Sequence, residues 1–269
     1  MNFNGKVAII TGSSSGIGEA IALLLSTMDA NVVITGRNQK RIDSVIKQCQ
    51  SSLTTSGRAL GVRADLLVDS DIEILVNKTI GEFGRIDILV NNAGIGSTVE
   101  FTDENYMLAY DQVMATNVRC VQVLTRLALP YLVESKGNIV NISSIAGLAP
   151  NPSTVAYCMA KSALDMFTKC LALELGPKGV RVNSVNPAAI RTPIFNAVTG
   201  DNRMLDYVEK FCQQTYPLGR IGEARDVAEA VAYLASDRAS FVTGLICPID
   251  GGCLRTGATI LDPDAIKFD

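Results

Sequence analysis

TGSSSGIG, at residues 11–18, stands between a short apolar run, Val7–Thr11, and a helix-like segment, Gly18–Met28. Glycines in a turn between a strand and a helix permit a tight bend, close backbone approach to a pyrophosphate and close packing of helix on strand. The helix N-terminus adds free N–H groups and a partial positive charge. The spacing is GxxxGxG rather than GxGxxG, and a purely structural turn is the alternative. The turn predicts a dinucleotide site with the candidate cofactor-binding residues Gly12, Ser14, Ser15, Gly16, Ile17 and Gly18.

Outward from this turn, apolar runs rich in Val and Ile alternate with helix-like segments. Most runs are apolar almost throughout, which is typical of strands covered on both faces. The predicted strands are Val7–Thr11, Asn31–Thr35, Ala59–Ala64, Ile86–Asn91, Gly137–Ser143, Arg181–Asn186 and Leu245–Ile249. The predicted helices are Gly18–Met28, Arg41–Ser51, Ser70–Phe83, Ala109–Val133, Thr154–Leu175 and Ala224–Ser236.

Strands that alternate with helices predict right-handed crossovers and a parallel sheet. The fold class is therefore α/β, a Rossmann-like doubly wound sheet of about seven strands with helices on both faces. No repeat or linker divides the chain, so residues 1–269 are expected to form a single dinucleotide-binding and catalytic domain. Residues 187–220, with three prolines, are predicted to form a substrate lid with a short helix around Arg203–Gln213. Residues 253–269 form a C-terminal tail to which the pattern assigns no structure.

The composition excludes several classes of function. With 48% hydrophobic and 19% charged residues, the chain is predicted to be globular. The net charge is −3 and no basic block is present, so no nucleic-acid partner is expected. No run approaches the roughly 18 apolar residues of a membrane span. The polar start, residues 1–6, leads directly into a strand without a signal peptide, so a cytoplasmic location is expected.

Histidine is absent from the sequence, and this restricts the chemistry. Serine-protease-like triads, histidine-ligated metals and a histidine base are excluded. The seven cysteines form no CxxC pair, so neither a zinc site nor a disulfide framework is expected. Acid–base chemistry is left to Tyr, Lys, Asp, Glu, Cys or water.

The end of the second predicted strand indicates which dinucleotide binds. Proteins that bind NAD usually place a carboxylate there for the ribose hydroxyls. This chain has Gly36, followed by Arg37 and Asn38. A guanidinium suits a 2′-phosphate, so Arg37 favours NADP(H) over NAD(H), with a solvated surface arginine as the alternative. After the third strand, Asp65 and Leu66 are predicted to reach the adenine.

Small residues follow the fourth predicted strand and allow backbone to approach a ligand; the candidates are Asn92, Ala93 and Gly94.

Farther along, Tyr157 and Lys161 are four positions apart in a helical segment and so share one face. A phenol near pKa 10 is a poor acid–base catalyst at neutral pH. A nearby ammonium, helped by the positive ring of an oxidised nicotinamide, would lower that pKa. An ordinary helix surface is the alternative.

Ser144 strengthens the catalytic interpretation, since it ends a predicted strand thirteen positions before the tyrosine. Open α/β sheets bind ligands at the carboxyl ends of their strands.

Together these motifs resemble the short-chain dehydrogenase/reductase family in its compact single-domain form. The resemblance extends from Lys6 to Gly252 and rests on TGSSSGIG at 11–18, NNAG at 91–94, Asn117 in TNV, NISS at 141–144, YCMAK at 157–161 and IDGG at 249–252.

The resemblance implies roles for individual residues. Tyr157 would be the general acid/base, and Lys161 would bind the nicotinamide ribose and lower the pKa of the tyrosine. Ser144 would hydrogen-bond the substrate oxygen. Asn117 would hold a water that links Lys161 to solvent. Ser143 is given only a supporting role, because strand alternation points it away. Family enzymes use no metal in catalysis.

One position departs from the family pattern, since Pro187 is followed by Ala188 where the family usually has glycine. The extra methyl group would narrow the nicotinamide pocket or be tolerated. Pro187, Ile190 and Thr192 are still expected to bind the cofactor, with Thr192 against the carboxamide.

The sequence thus predicts an NADPH-dependent carbonyl reductase that moves a hydride between nicotinamide and a carbonyl or secondary alcohol. The predicted substrate contacts are Ser144, Tyr157, Ile95, Ala146 and Phe195, in a mostly apolar pocket completed by Gly96, Leu148, Pro150, Ile194 and Tyr216. The expected partner is therefore an apolar small molecule. The alternatives are a catalytically silent dinucleotide-binding regulatory or scaffold protein, and an epimerase or dehydratase. The resemblance also implies a homo-oligomer, a tetramer or dimer, and Ala156, Ala160, Ala163 and Phe167 have compatible spacing. Core packing explains these four residues equally well.

Overall fold

The computed structural model of the chain describes residues 1–52, 57–195 and 204–257. Its larger elements follow the predicted alternation of strands and helices. In chain order they are β1 (Val7–Ile10), α1 (Gly16–Thr27), β2 (Asn31–Gly36), α2 (Gln39–Ser52), β3 (Ala59–Arg63), α3 (Asp69–Phe83), β4 (Ile88–Asn91), α4 (Tyr106–Met114), α5 (Cys120–Ser135), β5 (Asn138–Ile142), α6 (Val155–Leu175), β6 (Arg181–Pro187), β7 (Ile190–Arg191), α7 (Met204–Thr215), β8 (Gly222–Glu223), α8 (Ala224–Ala235), β9 (Ile246–Ile249) and α9 (Cys253–Thr256).

Seven strands form one parallel sheet in the order β3-β2-β1-β4-β5-β6-β9. The chain winds outward from β1 in one direction and from β4 in the other, so the predicted doubly wound fold is confirmed. Strand β1 shows why its residues are apolar throughout. Ala8 and Ile10 pack into one core with helices α1, α2 and α8, whereas Val7 and Ile9 pack into a second core with α3, α5 and α6. Both faces of the strand are buried, as the continuous apolar run predicts.

The helix predicted over Ala109–Val133 is interrupted in the structure. Helix α4 ends at Met114, a π-helical turn occupies Ala115–Arg119, and α5 begins at Cys120. A π turn inserts a residue into the helix without ending its apolar pattern, so the spacing alone did not reveal it. The single continuous helix of the prediction is therefore wrong at the position of Asn117.

The segment predicted as a lid contains more regular structure than expected. Strand β7 pairs with β8 in a small parallel sheet, and α7 covers nearly the span predicted for the short helix. Arg191 of β7 binds Glu209 of α7 at 2.8 Å and Glu223 of β8 at 3.0 Å. Residues 196–203 of this segment and 258–269 of the tail lie outside the described residues. In the described part of the chain, no helix has the length and apolarity to cross a membrane.

Candidate active site

The carboxyl ends of the central strands open into one cleft of about 1280 Å³. The chain reverses its winding direction between β1 and β4, which is where open α/β sheets bind ligands. All the predicted cofactor residues except Gly18 line this cleft. The five predicted substrate contacts line it as well, and so do the predicted catalytic residues except Asn117. Side chains from across the sequence are thus brought to one edge of the sheet.

The glycine-rich turn is braced by the loop that follows β4. Gly12 and Gly16 adopt positive φ angles of 62° and 60°, which favour glycine. The Thr11 hydroxyl accepts from the N–H groups of Asn92 and Ala93 at 2.9 Å, and Asn92 Nδ2 donates to the Thr11 carbonyl at 2.7 Å. The two loops therefore hold each other, with their backbones facing the cleft.

Gly18 supports the turn from beneath rather than lining the cleft. A Cβ atom at this position would lie 2.5 Å from Asn92 Nδ2, 2.6 Å from the Gly12 carbonyl oxygen and 2.8 Å from Ser13 Cα. Two of these three atoms belong to the backbone of the turn. The third glycine of the motif therefore permits close packing, which is the role expected of it.

The end of the cleft beside β2, which the sequence predicts to be the adenine end, carries positive charge. Arg37, Asn38, Arg41 and Asp65 line it, and both arginine side chains are exposed. The Asn38 side chain accepts from the Arg41 N–H at 3.1 Å and so caps the N-terminus of α2. Arg41 was not predicted from the sequence. Arg41 lies in the first turn of α2, four residues after Arg37, and this i, i+4 spacing could have predicted that both arginines line the cleft.

Tyr157 lines the cleft from the N-terminal part of α6, and its hydroxyl is hydrogen-bonded to Ser144. Ser144 caps the 3₁₀ turn Ile145–Gly147, and its hydroxyl accepts from the Ala146 N–H at 3.1 Å. Burial raises the pKa of Tyr157 to about 12, and the hydrogen bond from Ser144 opposes this rise only in part. The phenol is therefore held as a proton donor beside the serine hydroxyl.

Lys161 lies one turn farther along α6, with Nζ 5.5 Å from the centroid of the Tyr157 ring. Its ammonium donates to the Ile142 carbonyl at 2.9 Å, and burial lowers its pKa to about 8. Burial is the largest influence on the pKa of Tyr157, and the lowering by Lys161 together with an oxidised nicotinamide stays a prediction. The pair is brought together as predicted, but burial dominates both groups.

Asn117 is buried in the π turn behind the cleft. Its Oδ1 accepts from the Ile95 N–H and its Nδ2 donates to the Ile95 carbonyl, both at 2.8 Å. These two bonds hold the loop after β4 and use one acceptor site and one donor of the side-chain amide. Ser143, at the end of β5, donates to the Lys161 carbonyl at 3.2 Å, a contact that fastens the strand to α6.

The departure at Ala188 is accommodated without strain. Ala188 lines the cleft beside Pro187, and it is not among the residues with positive φ. A glycine is therefore not required by the backbone at this position. Ile190 and Thr192 line the same wall, as predicted.

The substrate end of the cleft is mostly apolar, with a few polar groups. The lining residues predicted from the sequence include Ile95, Ala146, Pro150, Ile194 and Phe195. The structure adds Gln112, Asn151, Thr154, Met204 and Leu254, which the sequence analysis did not predict. Leu148 and Tyr216, predicted as lining residues, do not reach it. The Tyr216 hydroxyl accepts from the Ala189 N–H at 3.3 Å instead. Of the described lining residues, only Arg37, Arg41, Asp65 and Lys161 are charged.

The arrangement suits a dinucleotide and proton transfer. The glycine turn leaves a cradle that side chains would fill: a Cβ at Gly16 would lie 3.3 Å from Thr192 Cγ2 and one at Gly12 would lie 3.0 Å from Ala93 Cα. The tyrosine, serine and lysine meet at the other end of the same cleft. Among the described residues, no group of three or more cysteines and carboxylates could hold a metal.

Comparisons with known proteins agree with this geometry. Residues 12–253 match the family model described as Enoyl-(Acyl carrier protein) reductase. The meso-2,3-butanediol dehydrogenase of Serratia marcescens is 35% identical over 255 residues, covering 94% of this chain and 96% of that protein. The 3-oxoacyl-(acyl-carrier-protein) reductase FabG of Thermotoga maritima is 34% identical over 256 residues, covering 94% and 99%. The solved structure of 7α-hydroxysteroid dehydrogenase complexed with NADH and 7-oxo glycochenodeoxycholic acid has a TM-score of 0.86 at 32% identity, covering 93% and 95%.

Proposed function

Since the chain belongs to the short-chain dehydrogenase/reductase family of oxidoreductases, we propose that it transfers a hydride between NADP(H) and a carbonyl or secondary alcohol, with Tyr157 as acid/base. The observation that carries the proposal is the Tyr157 hydroxyl, hydrogen-bonded to Ser144 and four residues before a buried lysine, inside the cleft that holds the glycine turn.

A dinucleotide held by the glycine turn and Thr192 would supply the hydride to the carbonyl carbon in the direction of reduction. The Ser144 hydroxyl binds the carbonyl oxygen and orients it toward Tyr157. The Tyr157 O–H then gives its proton to that oxygen as negative charge develops there, so that an alcohol forms. In the reverse direction Tyr157 takes the proton from the alcohol.

Lys161 supports this proton transfer through its charge. Its ammonium lies above the Tyr157 ring and stabilises the phenolate that forms after the proton leaves. Asn117 would connect Lys161 to solvent through a water.

The preference for NADPH is supported by the residues at the end of β2. Gly36 provides no carboxylate for the ribose hydroxyls, and Arg37 with Arg41 provides two guanidinium groups for a 2′-phosphate. A related solved structure is a complex with NADH, so the preference depends on this chain's own residues. Phosphate recognition by two arginines favours NADPH without abolishing NADH binding.

The substrate that fits this site is neutral and largely apolar. Among the described residues that line the cleft, all the charged ones except Lys161 lie at its predicted adenine end. A small ketone or diketone, or a larger alicyclic ketone, would fill the space beside Ile95, Ala146 and Phe195. Met204 of α7 lines the cleft, and residues 187–220 would act as the lid of this space.

A homo-oligomer, a tetramer or dimer, is the assembly we propose. The small residues Ala156 and Ala160 are buried within the subunit and are not available for contact. The outer face of α6 instead exposes an apolar stripe formed by Val155, Met159, Met166 and Leu173. Such a stripe on a long helix is suited to pairing with a second copy. The cytoplasmic location stays a prediction of the sequence.

Turnover with both cofactors tests the proposal. Purified protein would be assayed with 2,3-butanedione, cyclohexanone and a 7-oxo steroid, each with NADPH and with NADH at equal concentration. Reduction of at least one ketone, with a higher kcat/KM for NADPH, is expected. Tight NADPH binding without turnover across the panel would instead favour the regulatory or scaffold protein.

A further inference from the structure

Asp165 is a buried carboxylate one turn beyond Lys161 on α6. Its exposed fraction is 3% and that of Lys161 is 4%, so two charged side chains are buried on one helix face. Neither the cleft lining nor the proposed proton transfer involves Asp165 directly. A buried carboxylate is stable only when charges and hydrogen bonds compensate the loss of water. The groups that compensate it therefore indicate its role.

Strand β6 supplies two of these groups. The Ser184 hydroxyl donates to Asp165 Oδ1 at 3.1 Å, and Asn186 Nδ2 lies 3.1 Å from Oδ1 and 2.9 Å from Oδ2. The same Asn186 amide donates to the Ser144 carbonyl at 3.0 Å. One amide thus connects the carboxylate to the backbone of the residue that binds the substrate oxygen.

The Ser143 hydroxyl, directly after strand β5, is a third donor, and its single proton is shared between the Asp165 carboxylate and the Lys161 carbonyl. The 3₁₀ turn after Ser144 packs directly onto the helix. A Cβ at Gly147 would lie 2.5 Å from Asp165 Oδ2 and 2.9 Å from the Lys161 carbonyl carbon. No room remains for a side chain between the turn and α6, so the position of the turn depends on the position of the carboxylate.

The charges around Lys161 single out Asp165. On α6 the ammonium lies 5.5 Å from the Tyr157 ring centroid and is influenced by the charge of Asp165 one turn away. On α5 the neighbouring group is the Cys120 thiol, whose pKa burial raises to about 11. The phenol and the thiol are neutral near pH 7, and the β5 contact is a carbonyl. Asp165 is therefore the anion that balances the buried ammonium. Burial raises the pKa of Asp165, while its three donors and Lys161 oppose that rise.

We propose that Asp165 is a positioning residue of the active site, whose carboxylate fixes Ser144 through Asn186 and keeps Lys161 in its charged form. The inference rests on the proposed function, since it assigns a role within the same proton transfer. Two separate effects follow, one on the placement of Ser144 and one on the charge of Lys161. They are measured by different variants.

The test compares Asp165→Asn with Asn186→Ala in the full chain, using the ketone that the wild type reduces fastest. Asp165→Asn removes the charge, so the alkaline limb of the kcat/KM profile moves to lower pH by on the order of one pH unit. Asn186→Ala leaves the charge and removes the bond to Ser144, so kcat falls about tenfold while the limb stays in place. The Kd for NADPH is unchanged in both.

Asp87→Asn is the matched control. Asp87 is also buried and carries hydrogen bonds from the Val7 N–H and from Arg85, but it lies at the opposite edge of the sheet. This variant loses thermal stability and keeps the wild-type pH profile. A shift of equal size in Asp87→Asn and Asp165→Asn would overturn the proposal, because it would show a general effect of lost stability.

A second readout is independent of turnover. The titration of Lys161, followed by NMR of ¹³Cε-labelled lysine and assigned with Lys161→Met, moves to lower pH in Asp165→Asn. If neither the Lys161 titration nor the alkaline limb of the kcat/KM profile moves in Asp165→Asn, the proposal is overturned. If Asp165→Asn does not fold, Asn186→Ala decides, since an unchanged kcat in that variant also overturns it. Absence of wild-type turnover on every ketone counts against the proposed function, whereas the Lys161 titration still tests the charge effect.

Discussion

At the scale of single residues, two guanidinium groups stand at the adenine end of the cleft, those of Arg37 and Arg41. Arg37→Ala is expected to weaken NADPH binding tenfold to a hundredfold, because losing a hydrogen bond to a charged group costs about 1.5–3 kcal/mol. NADH, which has no 2′-phosphate, should bind as before. Titration of both cofactors checks this, with Arg225→Ala on α8, where Arg225 pairs with Glu229, as the control. Equal losses for NADPH and NADH would refute the assignment.

The buried lysine leads to a prediction about pH. The pKa of Lys161 is lowered to about 8 by burial, so the ammonium loses its proton as the pH rises through that value. The pKa of Tyr157, raised to about 12, keeps the phenol protonated over the same range. For ketone reduction, kcat/KM should be constant near pH 6–7 and decline above about pH 8. A profile that stays flat to pH 10 would contradict this role of Lys161.

Residue types and spacing identified most of the site, but not how its groups are engaged. Tyr157, Lys161 and Ser144 meet as predicted, because the helix period and the strand end place them without knowledge of the packing. The raised pKa of Tyr157 depends on burial by residues distant in sequence, which spacing does not show. The commitment of the Asn117 amide to Ile95 has the same origin.

At the scale of elements, the packing of α1 on the glycine turn can be tested with two glycines. Gly18→Ala would place Cβ 2.6 Å from the Gly12 carbonyl oxygen, so the turn must shift, and both NADPH affinity and melting temperature should fall. Gly81→Ala in α3 meets nothing within 4 Å and should stabilise the protein by up to about 1 kcal/mol. Thermal unfolding and NADPH titration measure both effects. Unchanged NADPH binding by Gly18→Ala would contradict the packing described.

The elements themselves were largely predictable, because both faces of the central strands are buried and their apolar runs are continuous. The short strands β7 and β8 were not, since each has two residues and gives no periodic signal. The π turn was missed because the apolar pattern continues through it. Local patterns thus predicted the long elements, and the irregular ones depended on tertiary contacts.

At the scale of the whole molecule, the outer face of α6 gives a prediction about assembly. Met166 and Leu173 are 56% and 82% exposed in the subunit. Replacing both by Glu should convert the proposed oligomer to monomers, because charges cannot be buried unpaired in an apolar interface. Sedimentation velocity measures the change, with Ile74→Glu on the exposed face of α3 as the control. A wild-type monomer, or an oligomer unaffected by the double substitution, would contradict this interface.

The central claim is that Tyr157 transfers the proton, and the turnover of Tyr157→Phe tests it most directly. The variant keeps the ring and removes only the hydroxyl that bonds Ser144. We predict a loss of about 10²–10⁴ in kcat for ketone reduction, with unchanged NADPH affinity and melting temperature. Tyr233→Phe, at an exposed position on α8, should retain full activity. Near wild-type turnover by Tyr157→Phe would contradict the account.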